Sequence, residues 1–256
     1  MADTVKGSTG EAIGGTPGFI HLRVHSAYSL LEGALPLKKI IYKAAGDNQP
    51  AIAITDTNNL FVALEFSQKA MDDGLQPIIG CQVSIDMEDG LETEKRGGQQ
   101  ALVKLPSIVL LAATEAGYER LVDLVSRAYL GGDSNQAIHI RASWLEEAGT
   151  EGLIALTGAL TGPVDAAIRE GHTAQAEARL LMLKRLFGDR LYVELQRHGT
   201  YDKPHEQKIV GLAYAHDLPL VATNEAFFPT RDDYHAHGCA DGGCSYAIVS
   251  TTAAFV

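Results

Sequence analysis

Short apolar, β-branched runs alternate with helical patterns from Gly18 onward, and this alternation limits the possible folds more than any other feature of the chain. The runs lie near 19–25, 51–55, 77–85, 107–113, 152–157, 190–196 and 219–223, each too short for a helix and bounded by turn residues. Between them, "LPLKKIIYKAAGDNQ" has Pro36 early and Gly46 late, a start and a stop for a helix. "NLFVALEFSQKAMDDG", "EAGYERLVDLVSRAYLGG", "HTAQAEARLLMLKRLFGD" and "KPHEQKIVGLAYAHD" repeat the helical spacing. About seven strand–helix units in succession predict a parallel sheet wrapped by helices, closed into a barrel rather than left open. Residues 86–106 break the alternation and read as a polar excursion between two strands, while residues 1–17 lack apolar periodicity and read as a disordered leader.

In barrels and open α/β sheets alike, functional groups gather at the carboxyl ends of strands. Those positions hold Arg23 and His25, then Asp56 and Thr57, with Gln82 on the third run, Arg197 and His198 after the sixth, and Asn224 and Glu225 after the seventh. The stretch "FIHLRVHSAYSLLEGA" sharpens the question, because His21, Arg23 and His25 recur at every second residue of an expected strand and so share one face. Two imidazoles on one face can hold Zn²⁺ or Mn²⁺, but a guanidinium has no lone pair to offer, so Arg23 is not a ligand. The same histidines also suit an ordinary strand, Asp56 also suits a helix cap, and Asn224 and Glu225 suit a turn.

Composition narrows the functional classes. The formal net charge of −11 argues against a broad electrostatic grip on nucleic acid, which needs clustered Lys and Arg. Cys81, Cys239 and Cys244 form no even disulfide framework, which fits a reducing, cytoplasmic setting. No signal-peptide core and no membrane-length apolar run is present. Glycine-rich phosphate loops, a Gly-x-Ser-x-Gly elbow and a basic-aromatic stripe are also missing. His235, His237, Cys239 and Cys244 are suitable elements for Zn²⁺, at a spacing that matches no known ligand set.

Taken together, "FIHLRVHSAYSLLEGA", "AIAITDTNNLFVALEF", "LQPIIGCQVSI", "IVLLAATEAGYERLVDLVSRAYL", "GLIALTGALTGP", "LYVELQRHG" and "LPLVATNEAFFPTRDDY" closely resemble the PHP (polymerase and histidinol phosphatase) domain at the start of bacterial DNA polymerase III alpha subunits. The resemblance places that domain at residues 18–237 and implies an α/β fold, a distorted (β/α)7 barrel. In metal-binding members the strand ends hold a trinuclear site for phosphoester hydrolysis or proofreading. On that pattern His25, Asp56, His198 and Glu225 are remnant ligand positions, Glu225 by exchange from Asp. Arg23, Thr57, Gln82 and Phe227 are substituted positions, and a further histidine position falls near Ser107.

The resemblance therefore implies a degenerate metal site without a resident cofactor. Its role would be as a structural module of DNA replication that docks the proofreading exonuclease (epsilon) subunit and other replicase subunits. DNA would be bound only in the full-length context, and no membrane is expected. The rival expectation is a metal-dependent phosphoesterase or 3′–5′ exonuclease using His25, Asp56, His198 and Glu225 around Zn²⁺ or Mn²⁺. Mg²⁺ for nucleotidyl transfer belongs to a polymerase palm, and the match is lost before one is reached. Residues 238–256 are expected to be a divergent, truncated or out-of-frame tail, and the chain alone is not expected to polymerise DNA. With the metals gone, Arg23 is expected to pair with Asp56, Glu225 or both.

Overall fold

The computed structural model describes residues 19–30, 32–90, 105–131, 137–197 and 203–230. The strands are β1 (Ala51–Ile54), β2 (Gln76–Asp86), β3 (Ser107–Ala112), β4 (Ile140–Arg141), β5 (Leu153–Leu156), β6 (Leu191–Leu195) and β7 (Leu220–Ala222). Helices α1 (Leu37–Gly46), α2 (Ala63–Asp72), α3 (Glu115–Leu130), α4 (Ala142–Ala148), α5 (Pro163–Arg169), α6 (Thr173–Phe187) and α7 (Lys203–Ala215) are interspersed with them. Local chemistry sets several boundaries: Pro36 precedes α1, the Thr114 side chain accepts from Gly117 N–H at the start of α3, and Pro163 opens α5. No described helix is long and apolar enough to cross a membrane.

The sheet is curled, in the order β1-β2-β3-β5-β6-β7, with β4 paired to the end of β2. Residues 21–25 join its two edges. Ala53 N–H donates to His21 O and Thr55 N–H to Val24 O, both at 2.9 Å, while His25 N–H donates to Ala226 O at 2.9 Å on the other side. The expected strand at 19–25 is thus an extended segment with one isolated bridge, Val24 to Ala226. Its hydrogen bonds are divided between two neighbours, so it builds no continuous ladder with either.

The expectation of a wholly parallel sheet also needs correction. β1–β2, β5–β6 and β6–β7 are parallel, but β3 runs antiparallel to both β2 and β5. The sequence between β2 and β3 shows no helical periodicity, and only a parallel pairing of consecutive strands requires a crossover helix. Ser107, at the start of β3, consequently lies at the same end of the sheet as the carboxyl ends of its neighbours.

Period-2 alternation separates inside from outside. Ile108 and Leu110 join Cys81, Val83, Leu191 and Val193 beneath the outer helices, whereas Val109, Leu111, Ala53 and Leu156 pack together on the inner face with Tyr192, Ile78 and Val221. A further cluster of Val24, Ile40, Ile41, Ile52, Ile54 and Phe66 seats α1 and α2 on β1. By the same alternation Gln82, opposite Val109, and Glu194, two residues after Tyr192, point inward above the apolar plug. This inner, upper level holds the candidate site.

Candidate functional site

Arg23 is the centre of the site and is fully buried. Its Nε and Nη2 donate to Gln82 Oε1 at 3.0 and 2.5 Å, and its Nη1 donates to both carboxylate oxygens of Glu194 at 3.3 Å. Nη2 also forms an ion pair with Glu225 Oε1 at 2.8 Å. The rest of the guanidinium edge is taken by Gly158 O at 3.2 Å and Thr161 Oγ1 at 3.0 Å. A buried cation is tolerable only when paired and fully hydrogen-bonded, and Arg23 meets both conditions. Burial works against its charge, but Glu194 and Glu225 outweigh that effect and hold the guanidinium above its ordinary pKa.

Glu194 is as tightly held as its partner. Gly158 N–H donates to its Oε2 at 3.0 Å, Gln196 Nε2 to its Oε1 at 3.1 Å, and Thr223 Oγ1 also donates to Oε1. Gly158 is required for this arrangement: its φ is +86°, and a Cβ there would stand 1.9 Å from Ser107 O. Ser107 Oγ reaches Thr161 Oγ1 at 3.2 Å, so this position also supports the Arg23 cage.

His25 occupies the next layer outward. Its Nε2 lies 3.2 Å from Glu225 Oε1, and its ring stacks on Phe227 at 4.3 Å between centroids and 9° between planes. Its Nδ1 faces Ser29 Oγ at 3.2 Å. Ser29 spends its only proton on Asp56 Oδ1 at 2.7 Å and accepts from Thr57 N–H, so the His25–Ser29 bond requires a proton on Nδ1. Thr57 Oγ1 donates in turn to Glu32 Oε2 at 2.5 Å.

Of the two carboxylates expected to pair with Arg23, Glu225 does so and Asp56 does not. Asp56 accepts from Ser26 N–H, Ser26 Oγ and Ser29 Oγ, each at 2.7 Å, and these three donors satisfy the carboxylate without a cation. Glu194 takes the place expected for Asp56. His21 also departs from expectation: its N–H donates to Gln49 Oε1 and its ring meets the edge of Phe19, away from the Arg23 cage. Arg197 pairs with Glu206 of α7 instead of entering the site. His198 and the tail residues His235, His237, Cys239 and Cys244 lie outside the described residues, as do residues 1–17 and 238–256.

Glu194 was missed at the sequence level although a signal existed. A charged residue inside the otherwise apolar run "LYVEL" has no solvent face to occupy if the strand is covered on both sides. Such a residue must have a buried partner.

A family model described as "PHP domain" matches residues 21–198. The chain belongs to the PHP family. Over 222 residues, 86% of its length, this PHP domain is 46% identical to the DNA polymerase III subunit alpha of Caulobacter vibrioides. It is 35% identical to that of Escherichia coli over 222 residues, again 86% of the chain. These stretches span only 19% and 18% of the two relatives. Among solved structures, an amidohydrolase from Chromobacterium violaceum aligns over 86% of this chain and 96% of its own, with a TM-score of 0.54 at 15% identity. A protein assigned as a metal-dependent phosphoesterase from Bifidobacterium adolescentis aligns over the same shares with a TM-score of 0.51 at 12% identity. The two likenesses establish the α/β barrel-like fold of the PHP domain.

Proposed function

We propose that this PHP domain serves the bacterial replicase, as part of a DNA polymerase III alpha subunit, in a structural and partner-docking role with a degenerate metal site. Its place of action would be the cytoplasm and its process DNA replication. The partners proposed are the proofreading exonuclease (epsilon) subunit and other replicase subunits. Nucleotidyl transfer is assigned to regions of the polymerase beyond the PHP domain.

The observation that carries this reading is the Arg23 cage. A trinuclear centre needs several carboxylates and imidazoles free to converge on cations, but here a guanidinium already engages Gln82, Glu194 and Glu225. Asp56 is saturated by serine donors, Thr57 and Phe227 offer no strong ligand, and His25 is held between Ser29 and Glu225. Among the described residues no group of three or more His, Cys, Asp or Glu side chains is placed to hold a metal ion. These described residues do not fit a metal cluster.

The test is metal content by mass spectrometry on dialysed protein, with Mn²⁺ and Zn²⁺ titrations followed by melting temperature and by hydrolysis of a 3′-labelled oligonucleotide. The expected result is no stoichiometric metal, no shift and no hydrolysis. Stoichiometric metal with a rise of several degrees would restore the phosphoesterase or exonuclease reading, because a ligand selective for the folded state must stabilise it.

A further inference from the structure

Helix α3, "EAGYERLVDLVSRAYL", covers the sheet with one side and leaves an ordered pattern of side chains on the other. Leu121, Leu124, Val125 and Ala128 are buried in the core beneath it. Tyr118, Val122 and Tyr129, spaced by four and seven residues, share an outward side and are 36%, 39% and 47% exposed. They form an apolar ridge about 16 Å long, three turns of helix. Glu115, Glu119 and Asp123 are exposed and follow one another in steps of four along the edge of that ridge.

The charges of the helix are sorted by side. Its only cations, Arg120 and Arg127, are held on the other flank: Arg120 pairs with Glu151 at 3.2 Å and donates to Ala148 O, and Arg127 lies over the Trp144 ring and pairs with Glu147 at 2.9 Å. Glu115, Glu119 and Asp123 form no ion pair among the described residues. The unpaired charge beside the ridge therefore has a single sign. Aromatic anchors flanked by unpaired carboxylates complement a segment that carries apolar side chains together with lysine or arginine. The same carboxylates repel nucleic-acid phosphates and anionic lipid, and a second copy of this face would set acid against acid.

We propose that the outward side of α3 docks a basic amphipathic helix of a partner protein, its apolar side chains against Tyr118, Val122 and Tyr129 and its cations against Glu115, Glu119 and Asp123. A helical occupant follows from the straight ridge, which offers contacts at helical spacing over three turns. The proposal does not depend on the replicative role, because no residue of the Arg23 cage lies on α3.

The test titrates the ¹⁵N-labelled full chain with a blocked peptide made of two Leu-Lys-Lys-Leu-Ala-Lys-Lys repeats. Because the chain is acidic overall, a Ser-for-Leu peptide of equal charge measures non-specific attraction. The leucine peptide should shift amides from Tyr118 to Leu130, bind at least tenfold more tightly than the serine peptide, and weaken as salt is raised. Glu119→Lys with Asp123→Lys should weaken it tenfold or more at an unchanged melting temperature, and Val122→Ser should also weaken it, whereas Asp72→Lys with Asp73→Lys on α2 should not. Equal binding of the two peptides, an equal loss in the α2 variant, shifts away from α3, or no binding would overturn the proposal. Dimerisation of the chain alone that Val122→Ser abolishes would overturn it in favour of a second copy, and stronger shifts of the same amides by a twelve-nucleotide thymidine strand would do so in favour of nucleic acid. None of these outcomes bears on metal content, so the replicative reading stands or falls separately.

Discussion

Arg23 shows how a single residue can be both conspicuous in a sequence and ambiguous in its consequence. Its guanidinium, between His21 and His25, could not itself be a ligand, yet its partners depended on the curvature of the sheet. Because Glu194 and Glu225 are buried, Arg23→Ala should strand two carboxylates and cost about 3–5 kcal/mol, measured by denaturant unfolding. Replacing the cage together, Arg23→Met with Glu194→Gln and Glu225→Gln, should restore most of that loss; if the triple variant is as unstable as Arg23→Ala, charge pairing is not what Arg23 provides. At Asp56 the expectation differs, since all three of its partners are donors. Asp56→Asn turns an NH₂ group toward donors and should cost about 1–3 kcal/mol, a loss that added Mn²⁺ or Zn²⁺ should not change.

At the level of elements, the apolar runs near 51–55, 77–85, 107–113, 152–157, 190–196 and 219–223 correspond to β1, β2, β3, β5, β6 and β7, and the five helical patterns to α1, α2, α3, α6 and α7. The short β4, α4 and α5 were not legible, because two to seven residues carry too little periodicity to stand out. Two predictions belong here. Gly158→Ala, in the turn after β5, should cost about 1–3 kcal/mol in thermal or denaturant melts, combining positive-φ strain with the collision against Ser107 O. Cys81 on β2 is fully buried, its Sγ contacts Asp56 O at 3.2 Å, and burial raises its thiol pKa. With Cys239→Ser and Cys244→Ser in place, a thiol reagent at neutral pH should leave Cys81 unmodified until the protein unfolds. Rapid native-state labelling would show that β2 opens locally.

For the molecule as a whole, the joint at residues 21–25 ties the first segment of the fold to the last. Hydrogen exchange should show the amides of His25, Ala53, Thr55 and Ala226 protected to the level of the inner strands, since all four are held in that joint. Arg23→Ala should lower protection at His25 and Ala226 more than in α3, which lies on the outer layer; uniform loss would mean that the cage and the sheet unfold as one unit.

The sequence by itself determined the order of the longer elements, the shared face of Arg23 and His25, and the family resemblance, because these follow from local periodicity and from side-chain chemistry that needs no partner to be recognised. Only the tertiary structure decided that β3 runs backwards, that 21–25 bridges two edges instead of forming a strand, and that Glu194 rather than Asp56 answers Arg23. The physical reason is distance along the chain. Arg23 meets Gln82, Gly158, Glu194 and Glu225 across separations of 59 to about 200 residues, and only the curvature of the curled sheet brings those groups around one guanidinium.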